Sequence, residues 1–301
     1  MRRVFAGRPL HLLFFTTLLG TGFLMRSLAP MNGAPGLQTW RPWATTTATL
    51  YFVDGGSLFP VSRRMSTSDD LPRAALQALL AGPNGGSGLT SAIPPGVEVR
   101  SFELAAGVAH VDLSAAFLAG EGDGQAAQTA LIETMTALPG VTSVTLSVEG
   151  KRLAESAKRV PLLYYASRDG LVAMPTSVTN PRAALTAYLS GSGDAKLTSL
   201  PPDVRLLAYD YAAADGLLSL NFAYTPSVHT LALEQPERMR LLLLGLIASL
   251  TEFPVVRAVQ LDFEGHSRLG LGQCSDLLRT PQPRPALLND ERLLDRAGNS
   301  R

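Results

Sequence analysis

The groups that could do chemistry in this chain are few and scattered. Its four histidines are His11, in an apolar N-terminal run, His110, beside Val111 on an alternating stretch, and His229 and His266, isolated in turn-like contexts. No two share the spacing that places metal ligands on one helix face, so a zinc hydrolase is not expected. Cys274 is the single cysteine. It can form neither an intramolecular disulfide nor a thiolate cluster, and reads as a small buried apolar residue. Asp54, Asp112, Glu121 and Asp123 raise the question of carboxylate catalysis or Ca²⁺ binding, but they lack the alternating oxygen ligands of a calcium loop. Asp54 is explained by its Asp-Gly-Gly turn. The glycine-rich stretch Gly82 to Gly88 lacks the Lys-Ser/Thr pair and preceding strand of a phosphate loop. Gly86-Ser87-Gly88 lacks the strand and spacing of a nucleophile elbow. No catalytic, cofactor or metal-binding residue is therefore expected, and the chain reads as a protein other than an enzyme. Tyr164, Tyr165, Tyr209 and Tyr211 remain as possible platforms in a sugar-binding groove, although strand tyrosines more often serve the sheet.

The elements that would position these residues occur twice. Pro72-Arg73-Ala74-Ala75-Leu76 returns as Pro181-Arg182-Ala183-Ala184-Leu185. Leu89-Thr90-Ser91 and Pro94-Pro95-Gly96-Val97 follow the first copy; Leu197-Thr198-Ser199 and Pro201-Pro202-Asp203-Val204 follow the second in the same order. This is a tandem duplication of one module of domain size. Each module opens on a β-hairpin, about Asp54-Gly55-Gly56 in the first and Asp169-Gly170 in the second. A helix with a single apolar face follows, capped by Asp70 or Asn180 and carrying Pro72 or Pro181 near its start. Then come an alternating strand pair, a second helix (about Gln125 to Ala137, and Glu237 to Leu250), and a last strand closed by Glu149-Gly150 or Glu264-Gly265. The run Leu241 to Leu250 is too short to span a bilayer and reads as a core helix. The fold class is thus α+β: two tandem homologous small domains, each a mixed or antiparallel sheet with two helices. Their expected bounds are 48–155 and 160–270, followed by a C-terminal tail over 271–301 that reads as loose beyond Thr280.

Ahead of these modules the sequence suggests an anchor. Residues 10–29 are nearly free of charge behind Arg2, Arg3 and Arg8, which fits a signal-peptide core or a short transmembrane segment. Pro30 and Pro35 directly follow the candidate cleavage sites, which favours an uncleaved signal anchor over a cleaved leader. The flanking arginines place residues 1–9 in the cytoplasm and the bulk of the chain outside, a single-pass protein of the cell membrane. Residues 30–47, with Trp40 and Trp43, read as a linker. No cysteine lies near this segment, so lipid attachment is not expected. Apart from the arginines flanking the apolar run, the remainder is mildly acidic, with no bulk attraction for nucleic acid.

The duplicated pattern, Pro-Arg-Ala-Ala-Leu followed by Leu79-Leu80-Ala81-Gly82-Pro83, the Thr90-Ser91 and Pro94-Pro95-Gly96 segments, and strands ending Ala109-His110-Val111-Asp112-Leu113-Ser114, resembles the GerMN domain of sporulation and spore-germination proteins. The match covers about 50–153 and 163–267. The second copy departs from it where Gly191-Ser192 replaces Gly82-Pro83 and Leu220-Asn221-Phe222 replaces Val111-Asp112-Leu113. The resemblance implies a non-catalytic envelope protein whose modules are similar to the ring-building modules of secretion machines, and a capping or backbone-bonding role for Asp112. With chemistry absent, the edges and helix faces of such modules point to envelope proteins and self-association as partners, with no cofactor. Binding to peptidoglycan or another glycan stands as the alternative, and a hydrolase would need a polar cluster that the sequence lacks.

Overall fold

The computed structural model describes residues 45–66, 70–119, 124–158, 160–267 and 271–294. The expected cytoplasmic N-terminus, anchor and most of the linker lie outside those residues, as do Glu121 and Asp123. Among the described residues no helix is long and apolar enough to cross a membrane.

Strands β1 (Thr45–Asp54) and β2 (Ser57–Ser66) form an unbroken antiparallel ladder from Thr45↔Ser66 to Asp54↔Ser57. Gly55 and Gly56 turn it with φ of 55° and 90°, which glycine supplies without a Cβ clash. The ladder begins three residues before the expected module boundary. Thr45, Thr46 and Thr47, read as linker, are β-branched and find partners on β2. Helix α1 (Leu71–Leu80) starts as expected, with the Asp70 carboxylate accepting from Arg73 N and Pro72 in the first turn, and buries Ala75, Leu76 and Leu79. Next come β3 (Val99–Ala105), β4 (Val108–Leu113), α2 (Gln125–Thr136), β5 (Ser143–Val148) and β6 (Lys151–Lys158). β6 was not expected, because its Lys- and Glu-bearing sequence has a weak strand signal; it forms by pairing along β5.

The second repeat runs β7 (Leu162–Ala166), β8 (Leu171–Pro175), α3 (Pro181–Ser190), β9 (Leu206–Ala212), β10 (Leu217–Phe222), α4 (Pro226–Glu234), α5 (Pro236–Leu250) and β11 (Ala258–Phe263). Helix α4 corrects the expectation of two helices per module and moves His229 from a turn into a helix. Its signals are legible in retrospect: Thr225 caps the N-terminus before Pro226, and Val228 and Ala232 supply the buried face four residues apart.

The repeats are not two separate bodies. Their opening hairpins join in one sheet of order β1-β2-β8-β7, with Leu58 paired to Ala173 at its centre. Each repeat adds a mixed sheet, β3-β4-β5-β6 in the first and β9-β10-β11 in the second, where the tail strand β12 (Gln282–Pro283) adds to β11, with a parallel central pair in each, β4 with β5 and β10 with β11. The outer edges of the shared sheet are closed by equivalent groups. Tyr51 N donates to Thr134 Oγ1 from α2 (3.1 Å), and Tyr164 N to Ser249 Oγ from α5 (2.8 Å). Two residues along each edge strand, Val53 exchanges backbone bonds with Thr90, and Ala166 with Thr198. The repeated Leu-Thr-Ser segment thus covers the end of each edge strand.

The tail, expected to be loose beyond Thr280, is packed from Leu271 to Leu294. It forms α6 (Ser275–Arg279) and β12 (Gln282–Pro283), which pairs with β11. Leu271, Cys274, Leu277, Leu278 and Leu288 are buried. Periodicity could not reveal this segment, because it is held by individual side chains rather than by a regular apolar face.

Candidate functional site

The aspartates singled out for chemistry, Asp54 and Asp112, serve turns and backbone instead. Asp112 Oδ1 accepts from Gly150 N at 2.9 Å, and Asn221 Oδ1 accepts from Gly265 N at 2.9 Å. The role needs one carbonyl-type oxygen, which is why Asp and Asn can replace one another between repeats. The neighbouring glutamates match as well. Glu149 Oε1 accepts from Ala115 N, and Glu264 Oε1 from Tyr224 N. Both glutamates sit at positive φ, 52° and 50°, just before a glycine that is also left-handed. Asp54 closes the first hairpin, as expected. His229 Nδ1 meets Tyr224 Oη at 2.9 Å, His110 is an exposed member of β4, and Cys274 is buried with burial pushing its thiol up to about 11. Among the described residues no group of three His, Cys, Asp or Glu side chains could hold a metal ion.

The tyrosines proposed for a sugar groove separate into two classes. Tyr164 and Tyr165 are core residues, which corrects the groove reading. Tyr165 stacks on Tyr188 with centroids 5.3 Å apart and donates to Ala187 O, while Tyr188 donates to Leu242 O at 2.7 Å. Burial pushes the Tyr165 hydroxyl up to about 12. Tyr164 donates to Glu252 Oε1 at 2.7 Å and accepts from Arg284 Nη2 at 3.0 Å. Its hydroxyl also lies 3.0 Å from that of Tyr51, its counterpart in the first repeat. Since the Tyr164 proton goes to Glu252, Tyr51 is the donor in that pair. Glu252 in turn pairs with Arg284 at 2.5 Å, so a buried polar cluster binds the two repeats where equivalent tyrosines meet.

Equivalent edges of the two repeats lie on β3 and β9, each of which has a sheet neighbour on one side only among the described residues. The arginine of the duplicated pentapeptide does the same work on both. Arg73 stands over the Phe102 ring at 5.3 Å and donates to Phe102 O; Arg182 stands over the Tyr209 ring at 4.8 Å. Two residues further along each strand, Leu104 and Tyr211 are exposed at 41% and 40%. They extend the row that Phe102 and Tyr209 begin, on the same side of their strands. Tyr211 Oη donates to Val255 O, and Val255 is itself exposed. Each module therefore presents an open strand edge flanked by an arginine-covered aromatic and an exposed apolar side chain.

Each repeat also has a cleft between its Pro-Pro segment and its later helices. One, of about 450 Å³, is lined by Ile93, Pro94, Pro95, Phe117 and Gln125. The other, of about 530 Å³, is lined by Leu197, Pro201, Pro202, Leu231 and Arg238. Arg238 is committed to the fold: its guanidinium donates to Ser167 O, Ala166 O and Thr198 Oγ1. Among the described residues neither cleft brings a nucleophile, base and oxyanion donor together.

The profile of a family described as Germane, sporulation and spore germination, matches residues 49–154 and 162–268. Among solved structures the chain is similar to the tandem GerMN domains of the sporulation protein GerM from Bacillus subtilis, at 19% identity with a TM-score of 0.64 over 82% of this chain and 99% of that one. It is also similar to the first GerMN domain of that protein, at 24% identity with a TM-score of 0.32, covering 37% of this chain and 88% of that one. No curated protein sequence matches.

Proposed function

The chain belongs to the Germane family, sporulation and spore germination, and from that premise we propose that it is a membrane-attached extracytoplasmic protein that holds other envelope proteins together and has no catalytic activity. The observation that carries this reading is the repeated open edge. Two equivalent edge strands, β3 and β9, are carried on the joined repeats, while the edge strands of the shared sheet are covered at Tyr51 and Val53 and at Tyr164 and Ala166. A strand edge with a sheet neighbour on one side, beside exposed apolar side chains, favours association with another polypeptide over turnover of a small molecule. Support for membrane attachment comes from the apolar run 10–29 behind Arg2, Arg3 and Arg8.

In-cell cross-linking of the membrane-bound full chain, followed by mass spectrometry, tests the proposal. Cross-links from the β3 or β9 edge to a defined envelope protein, or to further copies of the chain, are the expected result. Retention of cell-wall material with no protein cross-linked would overturn the scaffold reading in favour of glycan binding.

A further inference from the structure

The segment Leu288–Glu291 lies outside the family match, which ends at 268, yet it is the most specifically held part of the tail. It enters the notch where β2 and β8 diverge from their single pair, Leu58 with Ala173. There it runs parallel to β2, with Asp290 bridged to Ser62. Ser62 holds its backbone twice: Ser62 N donates to Asn289 O (2.7 Å), and Ser62 Oγ accepts from Leu288 N (3.0 Å).

Side chains are read as well as backbone. The Asn289 amide donates to Pro60 O at 2.6 Å and to Leu171 O at 2.9 Å, and accepts from Leu171 N at 2.9 Å. One buried amide therefore spans β2 and β8, taking up backbone groups that neighbouring strands would otherwise satisfy. Two residues on, the Glu291 carboxylate is almost wholly buried and makes a two-point pair with Arg63, Nε to Oε2 and Nη2 to Oε1, both 2.6 Å. It also accepts from Asn84 N at 2.9 Å. Arg63 is preset for this contact, because its guanidinium also donates to Ala78 O and Gly82 O and stands over the Phe52 ring. Gly170 opens the floor of the notch: a Cβ there would come within 2.4 Å of Asn289 Oδ1.

This is the anatomy of a peptide site rather than of a generic core contact. An extended strand is held by main-chain bonds, and specificity comes from alternate side chains. We propose that the notch between β2 and β8 is a binding site for an extended peptide of the form Leu-Asn-x-Glu, occupied here by the chain's own C-terminal segment. When the intramolecular copy leaves, the same segment of a second copy of this chain takes its place. The segment has the two marks of an exchangeable ligand: its specificity lies in two residues, and the stretch leading to it, with Pro281, Pro283 and Pro285, carries only the two-residue strand β12.

Hydrogen exchange on the natural full chain tests separability first. The amides of Ser62, Asn84 and Leu171, each bonded to the segment, are expected to exchange as one group, at least about tenfold faster than those of Tyr51 and Tyr164 in the same shared sheet. Exchange of all five through one common opening overturns the proposal. Next, the full chain carrying N289A and E291A is mixed with a fluorescein-labelled peptide of residues 285–294. The expected result is saturable uptake by this variant and little by the natural chain. Adding R63A to the variant, or Glu291→Gln to the peptide, should weaken uptake by about tenfold or more, as loss of a buried charged partner does. No uptake by a variant whose Ser62 amide has become fast, or uptake indifferent to both changes, overturns the site. So does a double variant whose Ser62 amide remains as slow as in the natural chain, since neither side chain would then be holding the segment. Where the double variant does not fold, the exchange pattern of the natural chain decides.

Discussion

At the scale of single residues, the tightest constraint is Gly245. It lies four residues before Ser249, as Ala130 lies four before Thr134 in the other repeat. A Cβ on Gly245 would stand 2.4 Å from Tyr164 O and 3.1 Å from Leu171 Cδ2. Helix α5 therefore lies closer on β7 than an alanine allows, and Ser249 fixes the contact by accepting from Tyr164 N while donating to Gly245 O. Alanine would raise helix propensity by about 1 kcal/mol. The backbone clash outweighs this, because forced overpacking costs about 1–3 kcal/mol and here the obstacle is a carbonyl rather than a movable side chain. Gly245→Ala is thus expected to lower stability by about 1–2 kcal/mol net in urea unfolding; an unchanged or higher midpoint would show that α5 can lift off β7 freely. Burial makes a second residue-level prediction. The Tyr165 hydroxyl is held at about 12 by burial, and Tyr188 is raised further by burial and by Tyr165 against a small opposing effect of Arg238. A raised folded value means the native state keeps a proton that the unfolded chain loses near pH 10. The stability this contributes is complete below pH 10 and is lost as pH rises through about 12. Denaturant midpoints taken between pH 9 and 11.5 should fall, and Tyr165→Phe should flatten the fall; an equal slope in both proteins would count against it.

At the scale of elements, the repeats show which contacts belong to the module and which to one copy. The Asp112–Gly150 and Asn221–Gly265 bonds are equivalent. Asp112→Asn should therefore cost less than about 0.5 kcal/mol, and Asp112→Ala about 1 kcal/mol through the orphaned Gly150 N–H. A costly Asn variant would show that the Asp112 charge matters, through Arg100 at 3.8 Å. The open edges yield a prediction of a different kind. Replacing Leu104 and Tyr211, both well exposed, with lysine should leave stability within about 1 kcal/mol but abolish cross-linking through β3 and β9, since edge lysines deter strand pairing. Cross-linking that survives both changes would move the interface elsewhere. The elements themselves were largely readable. The duplicated pentapeptide, the Asp-Gly turns and the alternating runs located both opening hairpins, both capped helices and the antiparallel pairs β3–β4 and β9–β10, but not the parallel pairing of β4 with β5 and β10 with β11. β6 escaped because Lys151 to Lys158 is polar, and its strand state comes from its neighbour β5. α4 is hard to read because its nine residues, led by Pro226, end just before the Pro236 that opens α5, so the stretch has the look of a connection.

At the scale of the whole molecule, the sequence foretold two modules but not their fusion. Neither hairpin announces that β2 will meet β8, because that contact is long-range and rests on a single register pair. The tail was unreadable for the same reason: Arg284, Asn289 and Glu291 act one at a time, at positions set by the other elements. Together these contacts make the repeats one folding unit. The shared sheet, the Tyr51–Tyr164–Glu252–Arg284 cluster and the clasp of Glu291 on Arg63 all cross between repeats or between repeat and tail. Two independent domains would melt separately, and the calorimetric enthalpy would exceed the van't Hoff value. The fused arrangement is expected instead to give one transition with the two enthalpies equal. The tyrosine pair offers the sharper form of the same test. Tyr51 can donate to Tyr164 only if both repeats are in place, so Tyr51→Phe and Tyr164→Phe should be coupled by about 0.5–1.5 kcal/mol in a double-mutant cycle. Tyr164→Phe should be the costlier of the two, because it also strips a donor from the buried Glu252 carboxylate and an acceptor from Arg284. Additive effects, with two resolved melting transitions, would mean that the repeats only touch; coupling with a single transition would mean that each repeat completes the core of the other.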